Sequence, residues 1–328
     1  MPSLTRTRRG RTFAAVIIAV AATLAAACAG AADGVEKSAA GDEIVKIGML
    51  PIAGVAPLKV VQTQDFISDQ GLIGQEVNLR TPADTVPNLL NGTTNVGALN
   101  VGSLAQALAE RVDLRILSTL YYANDDMSIF SMKNSGITQP KELEGKKIGL
   151  IQLENTNHAA LVAWLQERGV DTSTIKFVLV PVTDMPAALR SGQVDAGQVL
   201  YPLAQTMIDD LTPVVPNLLE AFGHQPVQGY VIASGKFVDQ NPDTVARIQT
   251  ALEQANEFLT SDPAASIAAI HAVTDVPDNL LRDSKLPAFG NDLKLASSQA
   301  QIDLMIEQGF LEKSVDLSSA VFTKGTSR

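Results

Sequence analysis

The stretch KKIGLIQLENTNHAALVAWLQERG, residues 146–169, reads as three structural elements in direct succession. The β-branched run KKIGLI predicts a buried strand, LENTNH a polar loop, and residues 158–168 a helix that ends at Gly169. The run IKFVLVPV then predicts another strand. Strand and helix alternating over short connections indicate a parallel sheet.

The same order of elements occurs about a hundred residues earlier in the chain. IVKIGML predicts a strand over 44–50, residues 58–70 a helix that ends at Gly71, and residues 76–80 a second strand. A further block repeats at an offset of 100, with Leu89, Gly92, Asn95 and Gly97 matching Leu189, Gly192, Asp195 and Gly197. We expect two similar α/β lobes, with ligand contacts after their first strands, at residues 51–56 and 152–158.

The N-terminus is typical of a secretory signal peptide. Four arginines precede an apolar run over 13–27, which at 15 residues is shorter than a membrane-spanning helix requires. A permanent anchor helix is the alternative. The run ends in LAAAC, where Cys28 resembles the lipidated cysteine of a bacterial lipoprotein, and cleavage by an ordinary signal peptidase is the other interpretation.

Composition excludes several classes of protein. The 328 residues are 46% hydrophobic and contain one cysteine, which excludes a disordered chain and a disulfide scaffold. Removing residues 1–27 takes the net charge from −10 to −14, and so acidic a body argues against nucleic acid as a partner. Residues 28–43, rich in small and polar side chains, predict a flexible tether.

The chain contains none of the stronger catalytic patterns. It has no G-x-S-x-G, G-x-x-x-x-G-K-[ST] or H-E-x-x-H, and its three histidines lie far apart in the sequence. We therefore expect no enzymatic activity, no cofactor and no metal site built from soft ligands, although an oxygen-only site stays open.

Two groups of residues could contact a ligand. Asn155, Thr156, Asn157 and His158 lie at a helix start, where they either cap the helix or, together with free backbone N–H groups, bind a polar ligand. Tyr121, Tyr122 and Asn124 follow the apolar run LRILSTL, and Tyr201 follows another. Tyrosines at strand ends suit a small organic ligand, and hinge or core packing explains them equally well.

The order of these segments resembles the ABC-transporter solute-binding proteins of the group that handles sulfonates, nitrate, taurine and thiamine-pyrimidine precursors. The blocks that carry the resemblance span residues 44–259 and include IVKIGMLPIAGVAPL, LLNGTTNVGALNVGSLAQAL, ENTNHAALVAWLQERGVD and MPAALRSGQVDAGQVLYPLA. The resemblance implies an α/β, two-lobed, periplasmic-binding-protein-like (type II) fold with a ligand cleft between the lobes. The crossovers are expected near 128–132 and 226–230, with 44–130 plus 229–328 in lobe 1 and 131–228 in lobe 2.

The resemblance also implies ligand-binding residues where this chain matches the family. They are Pro51, Ala53 and Val55 in the first loop, Asn100 and Ser103 in the NVGS block, Thr156 and His158 in the second loop, and Tyr201 before a proline. The second loop departs from the family by adding Glu154, whose carboxylate would repel a sulfonate.

We therefore expect a monomeric, lipid-anchored extracytoplasmic receptor at the cell surface or in the periplasm. It would deliver a small organic solute, either a sulfonate or an aromatic or heterocyclic compound, to the membrane subunits of an ABC permease. A permease-independent sensor or adhesion module is one alternative. A pyrimidine-synthase-like enzyme of the same fold is another, although such enzymes use a motif rich in histidine and cysteine and this chain has no cysteine over 29–328.

Overall fold

The computed structural model describes residues 35–325. The predicted signal peptide, Cys28 and the beginning of the predicted tether lie outside these residues. The strands are β1 (Glu36–Lys37), β2 (Glu43–Met49), β3 (Leu72–Asn78), β4 (Gly97–Asn100), β5 (Leu114–Tyr122), β6 (Met127–Met132), β7 (Lys147–Leu150), β8 (Lys176–Leu179), β9 (Ala196–Leu200), β10 (Leu211–Val215) and β11 (Val227–Ser234). The α-helices are α1 (Ala56–Thr63), α2 (Thr85–Leu90), α3 (Val101–Ala109), α4 (Thr156–Glu167), α5 (Met185–Arg190), α6 (Gly235–Gln240), α7 (Pro242–Ser261), α8 (Pro263–Thr274), α9 (Asp278–Arg282) and α10 (Leu295–Glu307).

The strands form two lobes with the same strand order. In the first lobe, β1-β2-β3 and β4-β11-β5 are joined where the Gly48 amide donates to the Val96 carbonyl at 2.9 Å. The second lobe contains one five-stranded sheet, β10-β6-β9-β7-β8. The order β3-β2-β4-β11-β5 thus corresponds to β8-β7-β9-β6-β10, as the repeated sequence blocks predicted.

Equivalent hydrogen bonds support this correspondence. The Lys46 amide on β2 donates to Asn95 Oδ1 at 2.7 Å, and the Lys147 amide on β7 donates to Asp195 Oδ2 at 2.8 Å. Asn95 and Asp195 are the residues that the offset of 100 paired. Their side chains fix the turns before β4 and β9 to the neighbouring strands β2 and β7, the two strands that the sequence placed first in each lobe.

The chain changes lobes slightly earlier than the sequence predicted. The segment near 128–132, predicted as a crossover, is the buried strand β6, which pairs with β9 and β10 inside the second sheet. The passage between sheets is therefore residues 123–126. The return passage is 216–226, because β11 is buried along its whole length and pairs within the first sheet from Val227.

Two element boundaries also differ from the prediction. The helix predicted over 58–70 ends at Thr63, because the backbone turns left-handed at Asp65, whose φ is 59°. The strand predicted over 76–80 begins earlier, at Leu72. The predicted helix start at Pro242 is confirmed, although the Asn241 side chain accepts from the Val35 amide at 3.3 Å instead of capping the helix.

The last part of the predicted tether belongs to the first lobe. Residues 36–37 form β1, which pairs antiparallel with the start of β2, and Glu36 forms an ion pair with Lys46 at 2.6 Å. At the other end of the chain, α10 packs against both α3 of the first lobe and α4 of the second.

Candidate functional site

The N-termini of α3 and α4 meet at the junction of the lobes. α3 follows β4 directly and α4 follows β7 after a short loop, and each helix begins at an asparagine cap. Asn100 Oδ1 accepts from the Ser103 amide at 2.8 Å, and Asn155 Oδ1 accepts from the His158 amide at 3.0 Å. These caps satisfy one of the free N–H groups that every helix start exposes.

The two helix starts are in direct contact. A Cβ on Gly102 of α3 would lie only 2.5 Å from Thr156 Oγ1 and 2.6 Å from the Thr156 amide nitrogen. Thr156 is completely buried there, and its hydroxyl lies 3.7 Å from Met305 Sδ of α10. Only glycine permits this approach, so the structure shows the lobes closed against each other.

A small cavity remains between the closed lobes, beside this contact. The volume inside it that the centre of a water molecule can reach is about 50 Å³. Its walls come from both lobes. The lining residues are Leu50, Ile52, Pro82, Ala98, Leu99, Asn100, Leu120, Tyr121, Met127, Ile151, Gln152, Asn155, Asn157, Leu200, Gln228 and Gly229.

The polar part of this lining consists of side-chain amides that are connected across the lobes. Gln152 Nε2 donates to Ser103 Oγ at 2.8 Å, and Asn155 Nδ2 donates to Gln152 Oε1 at 3.2 Å. Gln228 Nε2, on β11 of the first lobe, donates to Asn157 Oδ1, on α4 of the second, at 3.0 Å. Gln228 Oε1 is buried without a hydrogen-bond partner among residues 35–325.

The lining just given contains no Asp, Glu, Lys, Arg or His. Asp126, in the first passage between the lobes, is a buried carboxyl group with an exposure of 4%. Burial raises the pKa of Asp126 to about 6, although hydrogen bonds from the backbone amides of Asn124 and Asp126 oppose this rise. Burial, and secondly the Asp126 charge, raise the pKa of Tyr121 well above its usual value. At neutral pH Tyr121 is therefore a neutral phenol.

Three of the residues predicted from the sequence line this cavity: Asn100, Tyr121 and Asn155. The first loop contributes differently from the prediction. Pro51 lines a separate surface pocket of the first lobe, and Ala53 and Val55 are buried in its apolar core. The cavity instead receives Leu50 and Ile52 from this loop, while Gly54 packs against the ring of Tyr121.

Three predicted residues at the two helix starts do not line the cavity but lie beside it. Ser103 accepts the Gln152 hydrogen bond, and Thr156 fills the contact with Gly102. The His158 ring lies between Phe177 and Phe310, at centroid distances of 4.4 and 4.7 Å. Burial lowers the pKa of His158 to about 4, so the ring is neutral at pH 7 and its Nδ1 accepts from the Glu154 amide at 3.1 Å.

The structure places the remaining predicted residues away from the cavity. Successive side chains of a strand point to opposite faces, so Tyr122 of β5 points away from the face of Tyr121 and donates to the Asp292 carbonyl at 2.7 Å. Asn124 is exposed and donates to the Leu286 carbonyl. Tyr201 is half-buried and packs edge-on against Phe130 at 5.9 Å.

Sequence reasoning considered Asn157 at the helix start but singled out neither Gln152 nor Gln228. Gln152 lies within 152–158, the loop in which ligand contacts were expected, so its position carried a signal. Gln228 lies in a predicted crossover, and no local pattern distinguishes it from other residues of an apolar strand.

The described residues provide neither a metal cluster nor a membrane span. Between residues 35 and 325, no three His, Cys, Asp or Glu side chains come together as metal ligands would. Over the same range, no helix combines the length and apolar character needed to cross a bilayer.

Comparison with known families identifies the chain. The sequence model of the NMT1/THI5-like family matches residues 53–266, which is more than half of the chain and includes every residue of the cavity lining except Leu50 and Ile52. The chain belongs to the NMT1/THI5-like family. A relative of this NMT1/THI5-like protein in Brucella abortus, named a binding protein, is 26% identical over 138 residues. That match covers 40% of this chain and 42% of the relative, so it spans less than half of the relative's length.

Solved structures show the fold of this NMT1/THI5-like protein. The alkanesulfonate-binding protein SsuA of Xanthomonas axonopodis pv. citri, bound to MOPS, has a TM-score of 0.70 at 20% identity, covering 88% of this chain and 99% of SsuA. The nitrate-binding protein NrtA of Synechocystis PCC 6803 has a TM-score of 0.73 at 14% identity, covering 87% of this chain and 85% of NrtA. The fold is the α/β, two-lobed, periplasmic-binding-protein-like (type II) fold.

Proposed function

We propose that this protein is the extracytoplasmic solute-binding component of an ABC importer. It closes its two lobes on a small organic solute and presents the closed form to the membrane subunits of the permease. A hinge of this kind requires a ligand that contacts both lobes only when they are closed. One observation carries the proposal: the cavity between the lobes is lined from both sides, and the Gln228–Asn157 hydrogen bond connects those sides across it.

The lining favours an uncharged, planar solute with several hydrogen-bonding groups. Five side-chain amides offer both donors and acceptors, and the neutral ring of Tyr121 offers a flat apolar face. Strong recognition of a sulfonate is usually built on Arg or Lys, and the lining contains neither. We therefore propose an aromatic or heterocyclic compound rather than a sulfonate.

Binding is favoured over catalysis by the chemistry available at the cavity. His158 of α4 is the histidine nearest in sequence to the lining residues, but its ring is buried, neutral and not part of the lining. The sequence has no cysteine over residues 29–328 that could act as a nucleophile there. The lining offers none of the imidazole, carboxyl, amino or thiol groups that most often act as general acid or base in hydrolytic or transfer chemistry.

The experiment that tests the function is thermal unfolding of the purified protein against a panel of heterocycles, aromatic acids, alkanesulfonates, nitrate and amino acids. A solute that binds only the folded state, at a hundred times its dissociation constant, adds ~2.7 kcal/mol to the unfolding free energy. We expect a saturable shift with a heterocyclic or aromatic compound. A shift with sulfonates alone would contradict the proposed solute class, and no shift with any compound would contradict solute binding.

We also propose that Cys28 carries a lipid that anchors the protein as a monomer outside the cytoplasm. The LAAAC sequence at the end of the apolar run supports this. Cys28→Ala should move the protein from the membrane fraction to the soluble exported fraction. Cys28→Ala protein that still sediments with membranes would contradict the lipid anchor, and a Ser3→Ala variant controls for changes in export.

A further inference from the structure

The C-terminal part of the chain contains a segment that bridges the two lobes. We call α10 and the turn that follows it, residues 295–311, the C-terminal clasp. The clasp lies beyond residues 53–266, which the family comparison covers. It is fixed to the first lobe through β11, where Ser298 Oγ lies 2.6 Å from the Tyr230 hydroxyl and Gln301 Nε2 donates to the Val227 carbonyl at 2.6 Å.

The clasp reaches the second lobe at the start of α4. Met305 Sδ lies 3.7 Å from Thr156 Oγ1, and the Phe310 ring lies 4.7 Å from the His158 ring at an interplanar angle of 33°. Ala159 of α4 also joins the buried apolar cluster that contains Met305. The first turn of α4 therefore packs against a segment whose other contacts hold it to the first lobe.

The loop before α4 is held by the same set of contacts. His158 Nδ1 accepts from the Glu154 amide, so the ring that Phe310 covers also fixes this loop. From the first lobe, Gln106 Nε2 donates to the Glu154 carbonyl at 2.5 Å and to the Phe310 carbonyl at 3.3 Å. The side-chain amide of Gln106 therefore connects both the loop and the clasp to α3.

We propose that the clasp positions the first turn of α4, with Asn155 and Asn157, against the first lobe and favours the closed cleft before any solute binds. Met305 and Phe310 are its positioning residues. Opening the lobes separates α4 from α10, because the hydrogen bonds to β11 keep α10 with the first lobe. The open form then loses the Phe310–His158 contact and exposes part of the apolar cluster.

The proposal has a consequence for affinity that rests on the proposed function. When only a fraction of the molecules is closed, the apparent dissociation constant equals the intrinsic constant divided by that fraction. A contact between two aromatic rings changes such an equilibrium by roughly two- to tenfold. Loss of Phe310 should therefore raise the apparent dissociation constant by a similar factor.

Small-angle X-ray scattering of the solute-free protein tests the clasp directly. We expect Phe310→Ala and Met305→Ala to increase the radius of gyration while circular dichroism shows native secondary structure. The matched control is Phe258→Ala, because Phe258 is also half-buried and contacts another ring, Phe66, edge-on at 5.8 Å within the first lobe alone. The control should scatter like the wild type.

A folded Phe310→Ala variant with the scattering of the wild type would overturn the proposal. Phe310→Leu keeps apolar volume at this position and replaces Phe310→Ala if that variant does not fold, with the same criteria. The measurement needs no solute, so a negative result leaves the solute-binding proposal intact. Conversely, if no solute changes the thermal unfolding of the protein, the scattering test of the clasp is still valid.

Discussion

Gly54 packs so closely against Tyr121 that a Cβ at position 54 would overlap the phenol ring. Tyr121 is the only aromatic residue in the cavity lining, and Gly54 lies in the loop after the first strand of the first lobe. The absence of a side chain at Gly54 therefore fixes how far the ring enters the cavity.

Gly54→Ala should displace the Tyr121 ring and disturb the cavity. Overpacking of a closed core lowers the unfolding free energy by about 1–3 kcal/mol, and the displaced ring should also weaken binding of the solute. Thermal unfolding and titration calorimetry measure the two effects. Gly74→Ala, on the outer strand β3, is the control, because the atoms nearest to its Cβ would belong to the flexible side chain of Gln62 in α1. Equal effects of both variants would contradict the role given to Gly54.

Gly102→Ala should act on closure as well as on stability. The added methyl group meets Thr156 of the opposite lobe, an overlap that exists only in the closed form, and it also meets the flexible side chain of Met305 in α10. We expect the solute-free protein to open and the solute to bind about tenfold more weakly or worse, because the closed fraction falls. Gly97→Ala, which crowds Thr85 within the first lobe, should lower stability without opening the lobes. Scattering curves of the two variants give the comparison.

A double-mutant cycle on Gln228 and Asn157 should reveal the coupling between the lobes. Each single change to leucine leaves a buried amide without its partner, at a cost of about 1–3 kcal/mol, whereas the double variant removes both amides. We expect a coupling energy near 1 kcal/mol in the unfolding free energy at saturating solute. A coupling energy of zero would show that the 3.0 Å hydrogen bond does not contribute to the closed form.

Asp126 should make the folded protein less stable as the pH rises, whereas a carboxyl group with a lowered pKa makes it more stable. Its pKa rises from 3.8 to about 6 in the folded protein, so the folded state binds the proton more tightly than the unfolded chain. The stabilisation is fully present below about pH 4 and is lost as the pH rises through 6, an effect of about 3 kcal/mol. Asp125 opposes ionisation of this carboxyl group and Lys285 favours it.

The wild type and Asp126→Asn should therefore be compared between pH 4 and 7.5. The difference in their unfolding free energies should shift in favour of the variant as the pH rises. Comparing the two proteins removes the opposite contribution of Glu142, Glu144 and Asp171, whose pKa values are lowered mainly by hydrogen bonds. A difference that stays constant with pH would contradict the raised pKa of Asp126.

The repeated lobes could be predicted because they depend on local patterns. Asn95 and Asp195 were paired from the sequence alone, and in the structure both accept a backbone hydrogen bond from the first strand of their lobe. The helix start at Pro242 and the helix end before Gly169 follow from the conformational preferences of proline and glycine, which act within a few residues.

The site was harder to predict because it depends on contacts that are distant in sequence. Tyr121 and Tyr122 are equivalent as a sequence signal, and only the direction of β5 in the sheet decides that Tyr121 faces the cavity. Gln228 meets Asn157 from 71 positions away. No sequence pattern indicated that Met305 and Phe310 would contact the start of α4, about 150 positions earlier in the chain.

The position of β11 determines the order in which the lobes can be completed. All strands of the second sheet lie between residues 127 and 215, so this lobe has its whole sheet once that segment has been synthesised. The first sheet lacks the strand between β4 and β5 until residue 234 has been added. Until then, β4 and β5 each have an edge without its partner strand, while the other lobe can already fold. Because this pairing joins residues that are far apart in sequence, we expect it to form slowly and the newly made first lobe to be exposed to aggregation until it forms.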